Sequence, residues 1–427
     1  RVPTMLNFTA GLRNLKAACA SARVKTILTS RRFISQGKLD DLLDALKADH
    51  EIVFLEDVRA GIGLGDKLFA VLGGLLPRRL RAPASPDDPG VILFTSGSFG
   101  APRGVVLSQA NLCANVEQIG AHIDLDRDWV LFNPLPTFHC FGLTGGVLLP
   151  LLNGMKTVQY PSPLHVKQIP GLIRDTKASI LLATDTFIGQ YVRAAEPGDL
   201  SSLRFVVCGA ERVREETHEL MKQHVGAAPL VEGFGATEAS PVIAVNQPQD
   251  NRRGTVGGLL PAIEARLEPA PGIPEGGRLF VRGPNIMMGY LNEEGGIDPP
   301  PDGWHDTGDV VTLSADGWVK ILGRVKRFAK IGGEMVSLNA AEALAAGVWP
   351  ASRHAVIAMP DGRKGERLVL VTDRLDAAVG PLVAHAQAIG ATELSAPRKI
   401  VRVPEIPVLG NGKTDYVAVQ RMAENET

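Results

Sequence analysis

The chain has 427 residues, of which 45% are hydrophobic and 21% charged. This is the composition of a globular protein with a large core, which excludes a disordered chain, a coiled coil and a collagen-like fibre. The 45 Lys and Arg residues offset 46 Asp and Glu residues, so the net charge is −1. The chain therefore has no excess of positive charge that would predict nucleic-acid binding. Four widely spaced cysteines without a CxxC pair predict neither a zinc site nor a disulfide framework and favour a reducing cytoplasm.

Helical and strand patterns alternate through the first half of the chain. Residues 14–22 and 39–48 predict helices, and apolar strand patterns occur at residues 24–29, 52–55, 91–94, 129–133, 157–160, 180–182, 205–208 and 229–232. This alternation predicts βαβ units in a mainly parallel sheet. From about residue 254 to 323 the strands are shorter and the turns denser, which predicts an antiparallel barrel or sheet. A smaller unit follows, with strands at 355–358 and 368–372 and a helix near 379–389.

Two further segments bear on where the sequence begins and on possible contact with a membrane. Arg1 stands directly before a strand or turn, which predicts that the sequence begins inside a domain. Residues 67–81 (KLFAVLGGLLPRRLR) are apolar with a basic end. Such a segment suits the surface of an anionic membrane, or a helix that packs on its own domain and ends at Pro77. No run reaches the roughly 18 apolar residues of a membrane span.

The segment that most strongly indicates a binding site is residues 92–104, ILFTSGSFGAPRG. An apolar strand runs into a loop rich in Gly and hydroxyl residues, followed by Arg103. Glycines allow close backbone approach, and successive N–H groups in such a turn form an anion nest. The loop therefore predicts a polyphosphate site, although it lacks the Walker spacing.

Residues 95–104 (TSGSFGAPRG) resemble the signature loop of the adenylate-forming (AMP-binding) superfamily, which includes acyl-CoA synthetases and luciferases. Further segments resemble its later motifs in the right order: LPTFHCFG at 135–142 (substrate gate), EGFGATE at 232–238 (adenine and magnesium), GWHDTGD at 303–309 (ribose), GRVKR at 323–327 with KIGGE at 330–334 (hinge), and PVLGNGK at 407–413 (catalytic lysine). The phrase GRVKRFAKIGGEMVSL in particular looks like the acyl-acyl-carrier-protein synthetase module of bacterial bifunctional 2-acylglycerophosphoethanolamine acyltransferases.

The resemblance implies an α/β fold of the acyl-CoA synthetase and luciferase type. A large N-terminal domain of parallel βαβ sheets plus a small antiparallel sheet would span residues 1–323, N-terminally incomplete. Residues 324–326 would be a hinge. Residues 327–427 would form a small mobile α+β domain that carries the catalytic lysine.

The resemblance also implies the site residues. Catalytic roles are implied for Lys413, His139, Thr237 and Glu238. ATP or AMP binding is implied for Thr95, Ser96, Gly97, Ser98, Gly100, Arg103, Gly209, Ala210, Glu211, Glu232, Gly233, Phe234, Gly235, Thr237, Asp309 and Arg324. Lys326 matches the hinge position, and Gly333 matches the glycine of the pantetheine channel.

Physical chemistry supports several of these roles. Thr237 and Glu238 are hard oxygen donors suited to Mg²⁺. Gly233 and Gly235 would leave room for a flat base, on which Phe234 would stack. Three positions depart from the family pattern: Phe99 replaces a hydroxyl or acid, Arg103 a Lys, and Arg278 a common Glu.

The implied reaction is an ATP- and Mg²⁺-dependent ligation. A fatty acid, with a long chain as the first expectation, forms an acyl-adenylate and is transferred to a phosphopantetheine thiol. Acyl carrier protein is the expected acceptor, for lysophospholipid reacylation. A fatty acyl-CoA ligase and a non-catalytic module that binds nucleotide or acyl groups are the alternatives. The expected location is the cytoplasm, with peripheral contact to the inner face of the bacterial membrane left open.

Overall fold

The computed structural model describes residues 2–76, 83–95, 102–226, 228–270, 273, 275–331, 334–362, 365–408 and 413–426. The strands are β1 (Thr4–Met5), β2 (Thr26–Thr29), β3 (Glu51–Phe54), β4 (Pro89–Thr95), β5 (Arg103–Ser108), β6 (Val130–Asn133), β7 (Lys156–Gln159), β8 (Ile180–Ala183), β9 (Phe205–Cys208), β10 (Leu230–Gly235), β11 (Val242–Val245), β12 (Gly258–Leu259), β13 (Glu264–Glu268), β14 (Gly277–Arg282), β15 (Gly289–Leu291), β16 (Ile297–Asp298), β17 (His305–Leu313), β18 (Val319–Arg324), β19 (Phe328–Ile331), β20 (Glu334–Ser337), β21 (His354–Asp361), β22 (Gly365–Thr372) and β23 (Lys399–Arg402).

The α-helices are α1 (Leu12–Ser21), α2 (Arg31–Gly37), α3 (Asp40–Lys47), α4 (Leu55–Ala60), α5 (Leu64–Leu75), α6 (Gln109–His122), α7 (Leu149–Leu152), α8 (Ile169–Thr176), α9 (Asp185–Ala194), α10 (Glu215–His224), α11 (Leu338–Val348), α12 (Val379–Ala388) and α13 (Tyr416–Asn425). A π-helix spans Phe141–Leu148. Short 3₁₀ helices lie at Phe8–Ala10, Thr237–Ala239, Pro301–Gly303, Val325–Arg327 and Glu393–Ser395.

The chain divides into two compact units. The first comprises Arg1–Ala110 and Met287–Pro299. Its main sheet has the order β1-β4-β5-β15-β16, in which β4 and β5 are antiparallel. Strands β2 and β3 form a separate parallel pair. The expected parallel sheet therefore does not extend through this unit, because β4 and β5 pair antiparallel and the chain between them is shorter than a parallel crossover requires.

The second unit comprises Asn111–Ile286 and Pro300–Thr427. Its largest sheet has the order β12-β11-β10-β9-β8-β6-β7, and the strands from β10 to β7 are parallel. Helices α8, α9 and α10 cover one face around Ile173, Ile188 and Met221. Helix α6 packs against the other face through Val116 and Ile119. This arrangement confirms the βαβ prediction for this part of the chain, since sheets of this kind are buried on both faces.

Two further sheets belong to the second unit. Strands β13, β14, β17 and β18 form an antiparallel sheet, as the change of pattern after residue 254 predicts. The last sheet has the order β20-β19-β22-β21, with β23 parallel to β22. Helices α11 and α12 pack on one face of this sheet and α13 on the other. The 3₁₀ helix Val325–Arg327 links β18 to β19, and the boundary at residues 324–326 stays a prediction.

Candidate active site

The carboxyl ends of the parallel strands carry one group of the residues singled out in the sequence. Strands β6, β8, β9 and β10 end at Asn133, Ala183, Cys208 and Gly235. Neighbouring parallel strands end at one edge of the sheet, and ligands of open α/β sheets bind in the crevice outside that edge. The turns that follow these strands contain His139, Glu211 and Glu238.

The π-helix Phe141–Leu148 directly follows His139 and Cys140. Its backbone is held by side chains of β6 and β7. The amide of Asn133 donates to the carbonyl of Gly142 at 3.2 Å, and Gln159 donates to the carbonyl of Gly146 at 2.6 Å. A Cβ on Gly146 would lie 2.1 Å from Nδ2 of Asn133. π-Helical segments are rare and are frequently found at functional sites, and glycine permits this close approach.

His139 is held at the start of this segment and is electrically neutral. Burial, together with the nearby charge of Lys413, lowers its pKa to about 4. Its ring packs on Phe138 with 4.7 Å between centroids. A neutral imidazole at this position offers a hydrogen bond without adding a positive charge.

The turn after β9 contains Gly209, Ala210 and Glu211. Ala210 adopts a left-handed conformation with φ of 68°. A Cβ on Gly209 would lie 3.2 Å from the Phe141 ring. The carboxylate of Glu211 accepts from the backbone N–H of Thr186 at 3.1 Å, and burial raises its pKa. The turn therefore presents a carboxyl group whose charged form is only partly compensated.

The next stretch of this turn is fixed by buried carboxylates. Asp185 accepts from both the backbone N–H and the Nε of Arg214, at 3.0 and 2.5 Å. Glu232 lies on β10, with its Oε1 3.5 Å from Nε2 of His218 and its Oε2 3.5 Å from the N–H of Val213. These contacts give Glu232 an anchoring role inside the fold, and its contact with nucleotide stays a prediction.

Thr237 and Glu238 lie on the 3₁₀ turn that follows β10. Buried asparagines hold this turn. The side-chain amide of Asn285 donates to the backbone carbonyl of Ala239 at 2.7 Å, and the backbone carbonyl of Asn285 accepts from the hydroxyl of Ser240 at 2.8 Å. Asn115 exchanges two hydrogen bonds with the backbone of Val242. Neither Asn115 nor Asn285 was expected from the sequence. The available signals were an amide within residues 283–291 (GPNIMMGYL) and another on the buried side of α6.

Contacts inside the fold hold both Phe234 and Gly235. Phe234 is 7% exposed and packs with Ile243, Val281 and Val311, so burial disfavours the expected stacking of its ring on a base. A Cβ on Gly235 would lie 2.0 Å from the carbonyl oxygen of Pro241. Glycine is therefore required there by the chain's own backbone, and contact of Phe234 and Gly235 with a nucleotide stays a prediction. Gly233 has more room, since its Cβ would lie 3.3 Å from Val245.

The HDTGD segment forms a rigid turn on β17. Arg278 on β14 forms a two-contact ion pair with Asp306, whose Oδ1 also accepts from the N–H of Gly308 at 3.0 Å. Thr307 donates to the carbonyl of Leu279 at 2.9 Å and accepts from the N–H of Asp309 at 3.1 Å. The departure from the family pattern at Arg278 thus has a local purpose, because it anchors the turn that presents Asp309.

Asp309 is 3% exposed, and its two oxygens have different surroundings. Oδ1 accepts from Nε of Arg324 at 2.9 Å across the β17–β18 pair. Oδ2 is buried and has no hydrogen-bond partner among the described residues. Burial raises the pKa of this carboxyl, Arg324 lowers it, and the charges of Asp306 and Glu238 raise it. A buried acceptor without a partner is unusual and is expected where a ligand supplies the donor.

Lys413 belongs to the same charge cluster. Val408 and Thr414 form an antiparallel bridge shortly before α13, and residues 409–412 lie outside the described part of the chain. Burial lowers the pKa of Lys413, and the charge of Arg324 lowers it further, whereas Glu211 and Asp309 raise it. The structure thus brings four of the residues expected from the sequence into electrostatic range of Lys413: His139, Glu211, Asp309 and Arg324.

In the first unit, β4 and β5 present the ends of the predicted phosphate loop. Thr95 and Arg103 face each other across the strand pair, and the Arg103 guanidinium lies 3.6 Å from the centroid of the Tyr290 ring. Ser96, Gly97, Ser98 and Gly100 lie outside the described residues, as does Gly333. In the second unit, the backbone of Lys326 lies in the 3₁₀ helix Val325–Arg327.

The residues present fit a magnesium ion that is shared with nucleotide phosphates. Thr237 and Glu238 supply hard oxygen donors, and Mg²⁺ is typically held by one or two carboxylates plus phosphates and water. The charge of Glu238 raises the pKa of buried Asp309. A cation at Glu238 would relieve this repulsion between two carboxylates.

Comparisons with known proteins identify relatives of this chain. The sequence profile of the family described as AMP-binding enzyme matches residues 1–291. The medium-chain fatty-acid–CoA ligase of Escherichia coli strain K12 is 28% identical over 343 residues, which are 77% of this chain and 60% of that ligase. The long-chain-fatty-acid–CoA ligase of Yersinia pestis is 29% identical over 344 residues, which are 76% of this chain and 60% of that one. The aligned region thus spans 60% of each of these two relatives.

The fold also matches solved structures. ATP-bound MatB from Rhodopseudomonas palustris has a TM-score of 0.80 to this chain at 23% identity, covering 99% of this chain and 83% of that one. This likeness confirms the predicted α/β architecture.

Proposed function

The chain belongs to the AMP-binding enzyme family, and from that membership we propose that it is an ATP-dependent acid–thiol ligase that activates a long-chain fatty acid. Two curated relatives that are named fatty-acid–CoA ligases support the substrate class. The carboxylate would attack the α-phosphorus of ATP, release pyrophosphate and form an acyl-adenylate. A thiol would then attack the acyl carbonyl, giving a thioester and AMP.

The observation that carries the proposal is the charge cluster around Lys413. An ammonium group, a neutral histidine and a buried carboxylate oxygen without a partner among the described residues belong to one cluster. In the proposed adenylation step, Oδ2 of Asp309 accepts from a ribose hydroxyl. Lys413 neutralises charge that two anions, the fatty acid and the α-phosphate, bring together.

The other residues take supporting roles in this proposal. A fatty acid is already ionised at neutral pH and needs no base, so His139 orients the carboxylate as a neutral hydrogen-bonding group. The phosphate loop with Thr95, Ser96, Gly97, Ser98, Gly100 and Arg103 binds the β- and γ-phosphates. Glu238, with Thr237, would hold Mg²⁺, which supplies charge neutralisation on the phosphates. Glu232, Gly233, Phe234, Gly235 and the turn Gly209-Ala210-Glu211 would border the adenine.

The thiol acceptor is proposed to be the phosphopantetheine of acyl carrier protein, with lysophospholipid reacylation as the destination of the acyl group. The sequence phrases of the synthetase module support this choice. The names of the two curated relatives support CoA as the acceptor, so the two acceptors are equally well supported. For either acceptor, residues 327–427 would rotate about Lys326, and Gly333 would line the pantetheine channel.

Fatty-acid-dependent exchange of pyrophosphate into ATP tests the adenylation step. We expect exchange with long-chain fatty acids, and a large loss in Lys413→Ala. Lys320→Ala is the matched control, because Lys320 is an exposed lysine of β18 in the same unit. Exchange that survives Lys413→Ala would contradict the assigned role. ATP binding without any exchange would favour a non-catalytic binding module.

Initial rates of thioester formation decide the acceptor. Holo-acyl carrier protein and CoA are compared at equal concentrations with one fatty acid. Faster turnover with carrier protein supports the first proposal, and faster turnover with CoA establishes the fatty acyl-CoA ligase instead.

A further inference from the structure

Three side chains of the second unit form a connected polar cluster to which the proposed reaction assigns no role. Oε1 of Glu342 accepts from Nη2 of Arg327 at 2.5 Å and from the hydroxyl of Tyr416 at 3.0 Å. The same oxygen accepts from the backbone N–H of Val356 at 2.8 Å. The Arg327 guanidinium also stacks over the Tyr416 ring, 3.9 Å from its centroid. The Arg327 and Glu342 side chains are only 15% and 18% exposed, and removing one partner of such a largely buried pair is costly.

The cluster joins elements that lie far apart in the sequence. Arg327 ends the 3₁₀ helix that links β18 to β19, Glu342 lies on α11, and Tyr416 begins α13. Nη1 of Arg327 also donates to the carbonyl of Val356 on β21 at 2.8 Å. One carboxylate therefore connects the link that contains the predicted hinge residue Lys326 with the start of the last helix.

The start of α13 determines the path of the segment that carries Lys413, which lies three residues before Tyr416. Between them, Oδ1 of Asp415 caps the helix by accepting from two N–H groups of its first turn. The helix packs on the neighbouring sheet through Val419 and Ala423. Apolar packing is non-directional and leaves the rotation of a helix weakly defined, whereas a hydrogen bond has a preferred geometry. The bond from the Tyr416 hydroxyl to Glu342 therefore defines the orientation of the helix start.

We propose that Tyr416 is a positioning residue for Lys413, because its hydrogen bond to Glu342 fixes the helix start that follows the lysine. The proposal rests on the function proposed above, in which Lys413 neutralises charge during adenylation. A displacement of about 1 Å in an active site can cost about a hundredfold in rate. Loss of the Tyr416 hydroxyl should therefore slow adenylation and spare the later attack of the thiol, in which Lys413 has no assigned role.

Tyr416→Phe tests this role, because it keeps the ring on which Arg327 stacks and removes only the hydroxyl. Tyr191→Phe is the matched control, since Tyr191 is a fully buried tyrosine of the same unit whose hydroxyl donates to the carbonyl of Pro163 at 2.7 Å. We expect Tyr416→Phe to lower kcat of fatty-acid-dependent pyrophosphate exchange about tenfold or more, with KM for ATP within about twofold of wild type. Tyr191→Phe should leave this exchange within about twofold, and both variants should transfer the acyl group from supplied acyl-adenylate at about the wild-type rate.

Amide hydrogen exchange of the unliganded proteins measures the anchoring without the reaction. The N–H of Asp415 donates to the carbonyl of Pro407, and the N–H of Val419 donates to the carbonyl of Asp415. Both amides should exchange about tenfold faster in Tyr416→Phe than in the wild type, and at the wild-type rate in Tyr191→Phe.

The two assays separate failure of this proposal from failure of the proposed function. A wild-type protein without pyrophosphate exchange would refute the ligase function, whereas normal exchange in Tyr416→Phe would refute only the positioning role. Equal slowing of both half-reactions would make the role of Tyr416 generally structural. Equal effects of the two tyrosine variants, or unchanged exchange of the Asp415 amide, would mean that other contacts place Lys413. Thermal unfolding verifies that both variants remain folded.

Discussion

Replacing Asp309 with Asn should separate stability from nucleotide binding. Asp309 is a buried carboxylate with one oxygen bonded to Arg324 and the other without a partner among the described residues. Asn keeps the shape and one acceptor oxygen but removes the charge. We therefore expect the variant to fold as well as the wild type while binding AMP more weakly.

The magnitudes follow from the surroundings of the two oxygens. The Arg324 side chain is 61% exposed, so its ion pair with Asp309 is of the surface kind, worth about 0–1 kcal/mol. An unsatisfied buried group costs about 1–3 kcal/mol, and more when it is charged. Losing the charge offsets losing the ion pair, so the free energy of unfolding should stay within about 1 kcal/mol of wild type.

Nucleotide binding should respond much more strongly. A hydrogen bond to a charged acceptor contributes about 1.5–3 kcal/mol, so the dissociation constant of AMP should rise about ten- to a hundredfold. Isothermal titration calorimetry gives the affinity, and denaturant unfolding gives the stability. The comparison also depends on pH. Burial raises the pKa of Asp309 above 3.8, so the folded protein binds the proton more tightly and wild-type stability falls as pH rises through that window. The stability of Asp309→Asn should not show this fall with rising pH, because Asn does not titrate.

Asp185→Asn is the matched control for this prediction. Asp185 is also a buried carboxylate paired with an arginine, but both of its oxygens accept hydrogen bonds from Arg214. Its replacement should lower the free energy of unfolding by about 1–3 kcal/mol. If Asp309→Asn destabilises the protein as much as Asp185→Asn, or leaves AMP affinity unchanged, Asp309 is a structural anchor and the reasoning fails.

Two further perturbations address the π-helix and His139. Gly146→Ala would place a Cβ 2.1 Å from Asn133, whereas a Cβ on Gly120 in α6 would meet its nearest atom at 3.5 Å. Thermal unfolding should show that Gly146→Ala lowers the free energy of unfolding by about 1–3 kcal/mol and that Gly120→Ala raises it by up to about 1 kcal/mol. Equal effects of the two substitutions would contradict the packing argument. Since the pKa of His139 is lowered from 6.5 to about 4, the unfolded chain binds a proton in that window that the folded chain excludes. Wild-type stability should therefore fall as pH drops from 6.5 towards 4, and the His139→Gln variant should lose less stability over the same range. If the two proteins lose stability in parallel, the assigned burial of His139 is contradicted.

The sequence was informative wherever one local signal decided the structure. The apolar run of β8 is buried at all four positions, and a run of this kind predicts a central parallel strand. The change after residue 254 predicted the antiparallel sheet for a similar reason, because dense turns leave no room for crossover helices. By contrast, pairing partners are long-range information. Nothing within residues 26–54 shows that β2 and β3 form their own sheet.

Parts of the candidate site could not be predicted from local sequence motifs for a related reason. The demand for glycine at Gly235 comes from the carbonyl of Pro241, and the burial of Phe234 comes from β14 and β17. Both depend on tertiary contacts that a motif cannot display. Asn115 and Asn285 are ordinary amides by sequence, and their importance appears only when each is found bonded to the backbone near Thr237.

The surroundings of Lys413 give a physical reason why these residues must be held so firmly. Burial works against the charged forms of Glu211, Asp309 and Lys413 alike, because it raises the pKa of the two acids and lowers that of the base. Such a cluster would rearrange to reach water if its backbone allowed it. The Arg278–Asp306 pair fixes the turn that presents Asp309, and the Asp185–Arg214 contacts fix the stretch that follows Glu211. Anchoring at these positions thus keeps partly uncompensated charges in place, so that a nucleotide and a carboxylate substrate can compensate them on binding.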